Sequence, residues 1–191
     1  MGALPKEKED RLYTYRDYKE WELKEGERFE LIYGEAFAMS SPNERHQAIL
    51  TELLVQLHTY LQNKPCKVYP APFDVRPFYS EDESDDTVVQ PDIIIICDEK
   101  KRGPEGCRGA PDLVVEILSP SNSAIEMERK FKLYKQSGVK EYWIVDPENK
   151  GIKVYCFEAE KILVNTYGSD NVISASIFPG LSIELEQVFA G

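Results

Sequence analysis

Pro91-Asp92-Ile93-Ile94-Ile95-Ile96, followed by Pro111-Asp112-Leu113-Val114-Val115-Glu116-Ile117-Leu118, decides how this chain is read. Both runs are short, apolar and rich in β-branched residues, so both read as strands, and each is opened by Pro-Asp. Side chains two apart share one face of a strand, which groups Asp112, Val114, Glu116 and Leu118 against Leu113, Val115 and Ile117. Both faces are largely apolar, as in a central strand covered on two sides. A carboxylate inside such a strand needs a cation or a metal, because an unpaired buried charge is too costly to keep. If the two strands pair, Asp92 and Glu116 project to one place about one strand spacing, roughly 4.8 Å, apart. Two hard carboxylates completed by water suit Mg2+ or Mn2+.

Chemistry on phosphate would also require a cation near the reacting oxygens. Lys130 is the candidate. The segment 121–137 reads as a helix, with Ser119, Ser121, Asn122 and Ser123 as possible caps and Gly138 as the stop. Glu126, Lys130 and Tyr134 are four apart and form one stripe on it.

The order of Pro-Asp, an acid-bearing apolar strand, and a helix with Lys and Tyr four apart resembles the PD-(D/E)XK nuclease superfamily. Four phrases narrow this to the bacterial Uma-type restriction-endonuclease-like family: FELIYGEAFAMSSPNERHQAIL (29–50), PDLVVEILSPSN (111–122), KLYKQSGVKEYWIVDP (132–147) and FPGLSIEL (178–185). The resemblance implies Asp92 as the first metal-binding acid and Glu116 as the acid of the (D/E)XK element. Leu118 stands where that element has lysine, and the resemblance moves the lysine function to Lys130. Glu126 replaces the usual Asp of that helix position. Glu30 and His46 match recurring positions and are expected to support the site with Tyr134 and Glu126. A homodimer is also expected on this ground.

Each residue has a structural alternative. Asp92 and Asp112 can be strand-entry turn residues. Glu116 and Lys130 can be a structural ion pair. Tyr134 can be core, His46 a cap on a helix spanning 42–62, and Glu30 an exposed residue of the strand 28–33.

The 191 residues, 42% hydrophobic, suffice for one domain over 1–191, with residues 1–10 reading as a disordered tail. No signal peptide or membrane span is evident, which reads as a soluble cytoplasmic protein. Cys66, Cys97, Cys107 and Cys156 lack paired spacing, so reduced thiols are expected. His46 and His58 fall about 120° apart on one helix and do not share a metal.

The net charge of -11 opposes long-range attraction of a polyanion. Part of the acidity is local to 81–86, a solvated loop. Lys100, Lys101, Arg102 and Arg108 between the two strands, with Arg129, Lys132 and Lys135 on the helix, are expected to flank the site and grip nucleic acid. Gly103 to Gly109 lacks a P-loop ending, and Ser119 is not in a nucleophile elbow.

The sequence thus predicts an α/β fold with a restriction-endonuclease-like core: a mixed central sheet flanked by helices, an N-terminal helix (14–24) and hairpin (28–33, 35–39), strands at 67–76 and 141–145, and extra C-terminal strands (152–157, 162–165). The expected function is a Mg2+- or Mn2+-dependent nuclease acting on nucleic acid, with DNA as the expected substrate. The alternatives are a degenerate nuclease-fold binding module and a small-phosphoester hydrolase.

Overall fold

The computed structural model describes residues 12–120 and 123–190. The tail expected over 1–10 and the cap candidates Ser121 and Asn122 lie outside the described residues. In chain order the elements are α1 (Tyr15–Lys19), β1 (Phe29–Ile32), β2 (Glu35–Ala38), α2 (Glu44–Leu61), β3 (Lys67–Pro70), β4 (Val75–Arg76), β5 (Ile93–Ile96) and a 3-10 turn at Glu99–Lys101. They continue with β6 (Arg102–Gly103), β7 (Gly106–Arg108), β8 (Leu113–Ile117), α3 (Ala124–Ser137), β9 (Glu141–Asp146), β10 (Gly151–Phe157), β11 (Ile162–Gly168), β12 (Val172–Ile173), β13 (Ile183–Glu184) and α4 (Leu185–Val188).

A six-stranded sheet in the order β11-β10-β9-β8-β5-β3 forms the centre. Within it β8 and β9 run parallel, and α3 provides the crossover that parallel neighbours need. The alternating faces of the strands feed two apolar layers. Ile93, Ile95, Leu113, Val115 and Ile117 pack with Ile49, Leu53 and Leu57 of α2 and with the C-terminal segment. Ile94, Ile96, Val114 and Tyr142 pack on the other side with Leu133 and Tyr134 of α3 and with Ile32. All four isoleucines of β5 are buried, each worth about 2 kcal/mol of transfer free energy. The sheet is therefore covered on both sides, as the apolar runs implied.

Local signals set the element ends. Asn43 caps α2 by accepting from the His46 N–H at 2.9 Å, and Ser123 caps α3 by accepting from the Glu126 N–H at 3.1 Å. Gly138 closes α3 at φ 91, a left-handed value glycine adopts without strain. The β1–β2 turn, Tyr33-Gly34, has positive φ at both residues, matching a two-residue hairpin.

Two expectations need correction. The strand expected over 67–76 is two strands in different sheets: β3 ends at Pro70, a cis Ala71–Pro72 bond follows, and β4 joins β6 and β7. Proline cannot donate to a ladder, so the run divides there. Gly106 lets β7 approach Asp74, since a Cβ there would collide with the Asp74 carbonyl oxygen.

The expectation of four reduced thiols is also overturned. Cys66, after α2, is disulfide-bonded to Cys97, after β5. The antiparallel register that sets Lys67 opposite Ile96 brings the two together, a proximity that cysteine spacing alone does not reveal. The bond closes a 31-residue separation, so reduction or Cys66→Ser is expected to lower stability by about 3 kcal/mol. A urea midpoint that does not move on reduction would contradict this.

Glu141 is fully buried at the start of β9. Trp143 Nε1 donates to its Oε1 at 2.6 Å, and the Ser176 and Ile177 amides donate to its Oε2 at 3.0 and 3.3 Å. Burial raises its pKa and these donors oppose the rise. The carboxylate fastens the C-terminal segment to the sheet.

Candidate active site

Asp92 and Glu116 stand side by side because β5 and β8 are antiparallel with Ile93 opposite Val115. The Ile117 N–H, at the end of β8, donates to Asp92 Oδ2 at 2.7 Å, which fixes the aspartate against the neighbouring strand. Asp92 Oδ1 lies 3.3 Å from His46 Nε2, contributed by the first turn of α2. His46 is 7% exposed, and its Nδ1 is buried with no partner among the described residues.

Glu116 Oε1 receives Lys130 Nζ at 3.0 Å and the Tyr134 hydroxyl at 2.6 Å. The four-residue spacing of α3 aims both donors at one oxygen. Lys130 also bonds Glu30 at 3.1 Å, so its ammonium sits between two carboxylates with the residue only 7% exposed. Glu30, on β1, is itself 4% exposed and accepts from the Gln90 N–H at 2.9 Å. Ordinary solvent exposure of Glu30 is thereby excluded.

The charges are balanced tightly. Burial disfavours the ammonium of Lys130, but Glu116 and Glu30 outweigh that and hold its pKa well above the usual lysine value. Burial pushes Glu116 up to about 7; Lys130 and the Tyr134 hydrogen bond pull it down, and Glu30 and Asp92 add to the rise. His46 is shifted upward: burial opposes its charge, and its hydrogen bond to Asp92, the Asp92 and Glu116 charges and the Ile117 backbone overcome it.

Glu30, His46, Asp92, Glu116 and Lys130 line a cavity of about 780 Å³ that also includes Arg28, Phe37, Gln90, Glu126 and Arg129, while Tyr134 supports Glu116 from behind the lining. The Arg129 guanidinium lies 4.2 Å from the Phe37 ring centre. Lys100, Lys101, Arg102 and Arg108 do not line it. Their loop leaves β5 and enters β8 at the strand ends away from Asp92 and Glu116, and Lys101 Nζ bonds the Ala110 carbonyl at 2.7 Å. Asp112 holds that other end together, accepting from the Cys97 N–H at 2.7 Å and from Lys140 Nζ at 2.6 Å. Sequence reasoning missed Arg28 and Gln90. For Gln90 a signal existed, since it lies two residues before Asp92 and so falls on the same side of an extended segment.

Residues 15–186 match the family described as Putative restriction endonuclease, Uma2. The chain belongs to the Uma2 family. A curated relative of this Uma2 chain, the uncharacterized protein slr1290 of Synechocystis sp. (strain ATCC 27184 / PCC 6803 / Kazusa), is 25% identical over 178 residues, covering 92% of this chain and 90% of the relative. The crystal structure of a putative nuclease belonging to DUF820 from Anabaena variabilis ATCC 29413 superposes with TM-score 0.73 at 19% identity, covering 93% of this chain and 98% of that one. At that identity the likeness establishes the fold: the restriction-endonuclease-like α/β architecture expected from the sequence.

Among the described residues no three His, Cys, Asp or Glu side chains converge in a geometry that could hold a metal ion. Two carboxylates, from Asp92 and Glu116, line the same cavity, and their hard oxygens suit a cation that keeps most of its water. Among the described residues, no helix is long and apolar enough to cross a membrane.

The raised Glu116 pKa has a measurable effect in chelator-treated protein. Between about pH 4.5 and 7 the folded chain holds a proton that the unfolded chain has released. This contribution to stability is therefore greatest below pH 4.5 and disappears as pH rises toward 7. Melting temperatures at pH 5 and 8 should show this slope in the wild type and a shallower one in Glu116→Gln, where the raised His46 pKa still contributes; an identical slope in both would contradict it.

Proposed function

We propose that this Uma2 chain is a divalent-metal-dependent nuclease that hydrolyses phosphodiester bonds in nucleic acid, DNA being the expected polymer. The observation that supports this most strongly is that Asp92 and Glu116, at paired strands, line one cavity with the Lys130 amine 3.0 Å from Glu116. Restriction-endonuclease-like families generally use divalent metals. Asp92 and Glu116 would hold Mg2+ or Mn2+, which supplies Lewis acidity and a water of lowered pKa. Lys130 stays charged and offers its ammonium to the negative charge that develops on the phosphoryl oxygens. Glu30 and Tyr134 fix the amine and Glu116, and His46 orients Asp92. Arg28 and Arg129, in the cavity lining, offer charge to the substrate's backbone. One water is consumed: its hydroxyl joins phosphorus, and its proton ends on the departing sugar oxygen. The family relationship supports a homodimer.

A second reading, a nuclease-fold binding module, is favoured by Leu118 in the lysine position and by the two carboxylates that already engage Lys130. Incubation with single- and double-stranded DNA, RNA and a small phosphodiester, in Mg2+, Mn2+ or chelator, separates the readings. Polymer cleavage that chelator abolishes is expected. Absence of cleavage together with no calorimetric uptake of millimolar Mn2+ would overturn the nuclease reading, and cleavage of the small ester alone would reassign the substrate.

A further inference from the structure

Gln90 lines the cavity, yet its side chain is held from behind by groups that do not. Its amide nitrogen donates to Asp74 Oδ1 at 2.8 Å and to the Tyr18 hydroxyl at 3.3 Å. The same hydroxyl donates to Asp74 Oδ1 at 3.3 Å, so the three groups close a ring. Neither Asp74 nor Tyr18 is part of the cavity lining, whereas Gln90 is. Both amide protons are thus used behind the site, and the Asp74 carboxylate sets which way the amide faces. The carbonyl oxygen is left buried with no partner among the described residues. A buried acceptor without a donor loses its hydrogen bond to water and gains none in return, so a fixed orphan beside a cavity marks the place of an incoming donor.

The position narrows the donor. Gln90 and Asp92 are two apart in the chain and both line the cavity, and the Gln90 backbone N–H already holds Glu30. The cavity lining carries four carboxylates, from Glu30, Asp92, Glu116 and Glu126. An amide oxygen accepts a hydrogen bond there without adding to that negative charge. A water held beside Asp92 would give one hydrogen to this oxygen and be left with its lone pair in a fixed direction.

We propose that Gln90 is a positioning residue whose carbonyl oxygen orients a water beside Asp92, with the Tyr18–Asp74 pair preventing the amide from turning over. This rests on the metal-dependent nuclease reading. Gln90→Leu removes the acceptor; Asp74→Asn leaves Gln90 in place but abolishes the carboxylate that selects its orientation. Wild type and both variants are compared by melting, by Mn2+ calorimetry and by kcat and KM. The expected result in folded Gln90→Leu is a kcat lower by about 10- to 100-fold at unchanged KM, with a changed Mn2+ binding enthalpy, and a smaller loss of the same kind in Asp74→Asn. Unchanged kcat and enthalpy in Gln90→Leu, or a rise in KM alone, overturns the inference while leaving the nuclease reading intact. Should Gln90→Leu not fold, an unaltered kcat in Asp74→Asn overturns it equally. A wild type that takes up no Mn2+ removes the nuclease reading and this inference with it.

Discussion

Asp92→Asn and Glu116→Gln are each expected to leave a folded protein that no longer takes up Mn2+ and cleaves nucleic acid about 10³-fold more slowly than the wild type. The size follows from losing several kcal/mol of charge stabilisation at about 1.4 kcal/mol per factor of ten. Folding should survive both changes. In Asp92→Asn the new amide keeps an oxygen able to accept from the Ile117 N–H. In Glu116→Gln an oxygen remains for the Tyr134 hydroxyl, while Lys130 retains Glu30. Calorimetry with Mn2+ and a cleavage time course check this directly, and full cleavage by either variant discards the assigned roles.

Lys130→Met should be the most destabilising substitution in the site. Its ammonium lies within 3.1 Å of both Glu30 and Glu116, and all three side chains are largely sequestered from solvent. Removing one member of such a pair strands the remaining buried charge at a cost of about 3–5 kcal/mol. For a chain of this length that is a drop in Tm of roughly 10 °C. Adding Glu30→Gln should recover part of the loss, because it removes one of the stranded carboxylates. Mn2+ should recover part as well by supplying positive charge to Glu116. A Tm change below about 2 °C would mean that the amine does not neutralise these acids.

Much of this centre was legible in the sequence because it depends on strand and helix periodicity. Pairing of the two Pro-Asp strands was enough to place Asp92 beside Glu116, and the four-residue stripe was enough to aim Lys130 and Tyr134 at that acid. Tyr134 proved to be both fully buried and hydrogen-bonded to Glu116, so core packing and contact with the acid were not alternatives for it. What escaped were contacts between segments distant in the chain. The Glu30–Lys130 pair spans 100 residues, and the Cys66–Cys97 bond depends on the β3–β5 register. The basic loop illustrates a different limit. Proximity in sequence to both site strands placed Lys100 to Arg108 beside the acids, but antiparallel pairing puts that connection at the other end. A few elements were shorter than their patterns: α1 stops at Lys19, where an extent to 24 was expected.

The Glu141 carboxylate has a consequence for biosynthesis. Its amide donors at 176 and 177 follow it by 35 and 36 residues along the chain, yet it occupies the strand adjacent to the one that carries Glu116. Until those amides emerge from the ribosome, burying β9 would strand a carboxylate short of donors, at a cost of several kcal/mol. The nascent polypeptide would therefore hold its central sheet open, and the acids and amine of the centre would come together only after residues 176 and 177 are free to fold back onto Glu141.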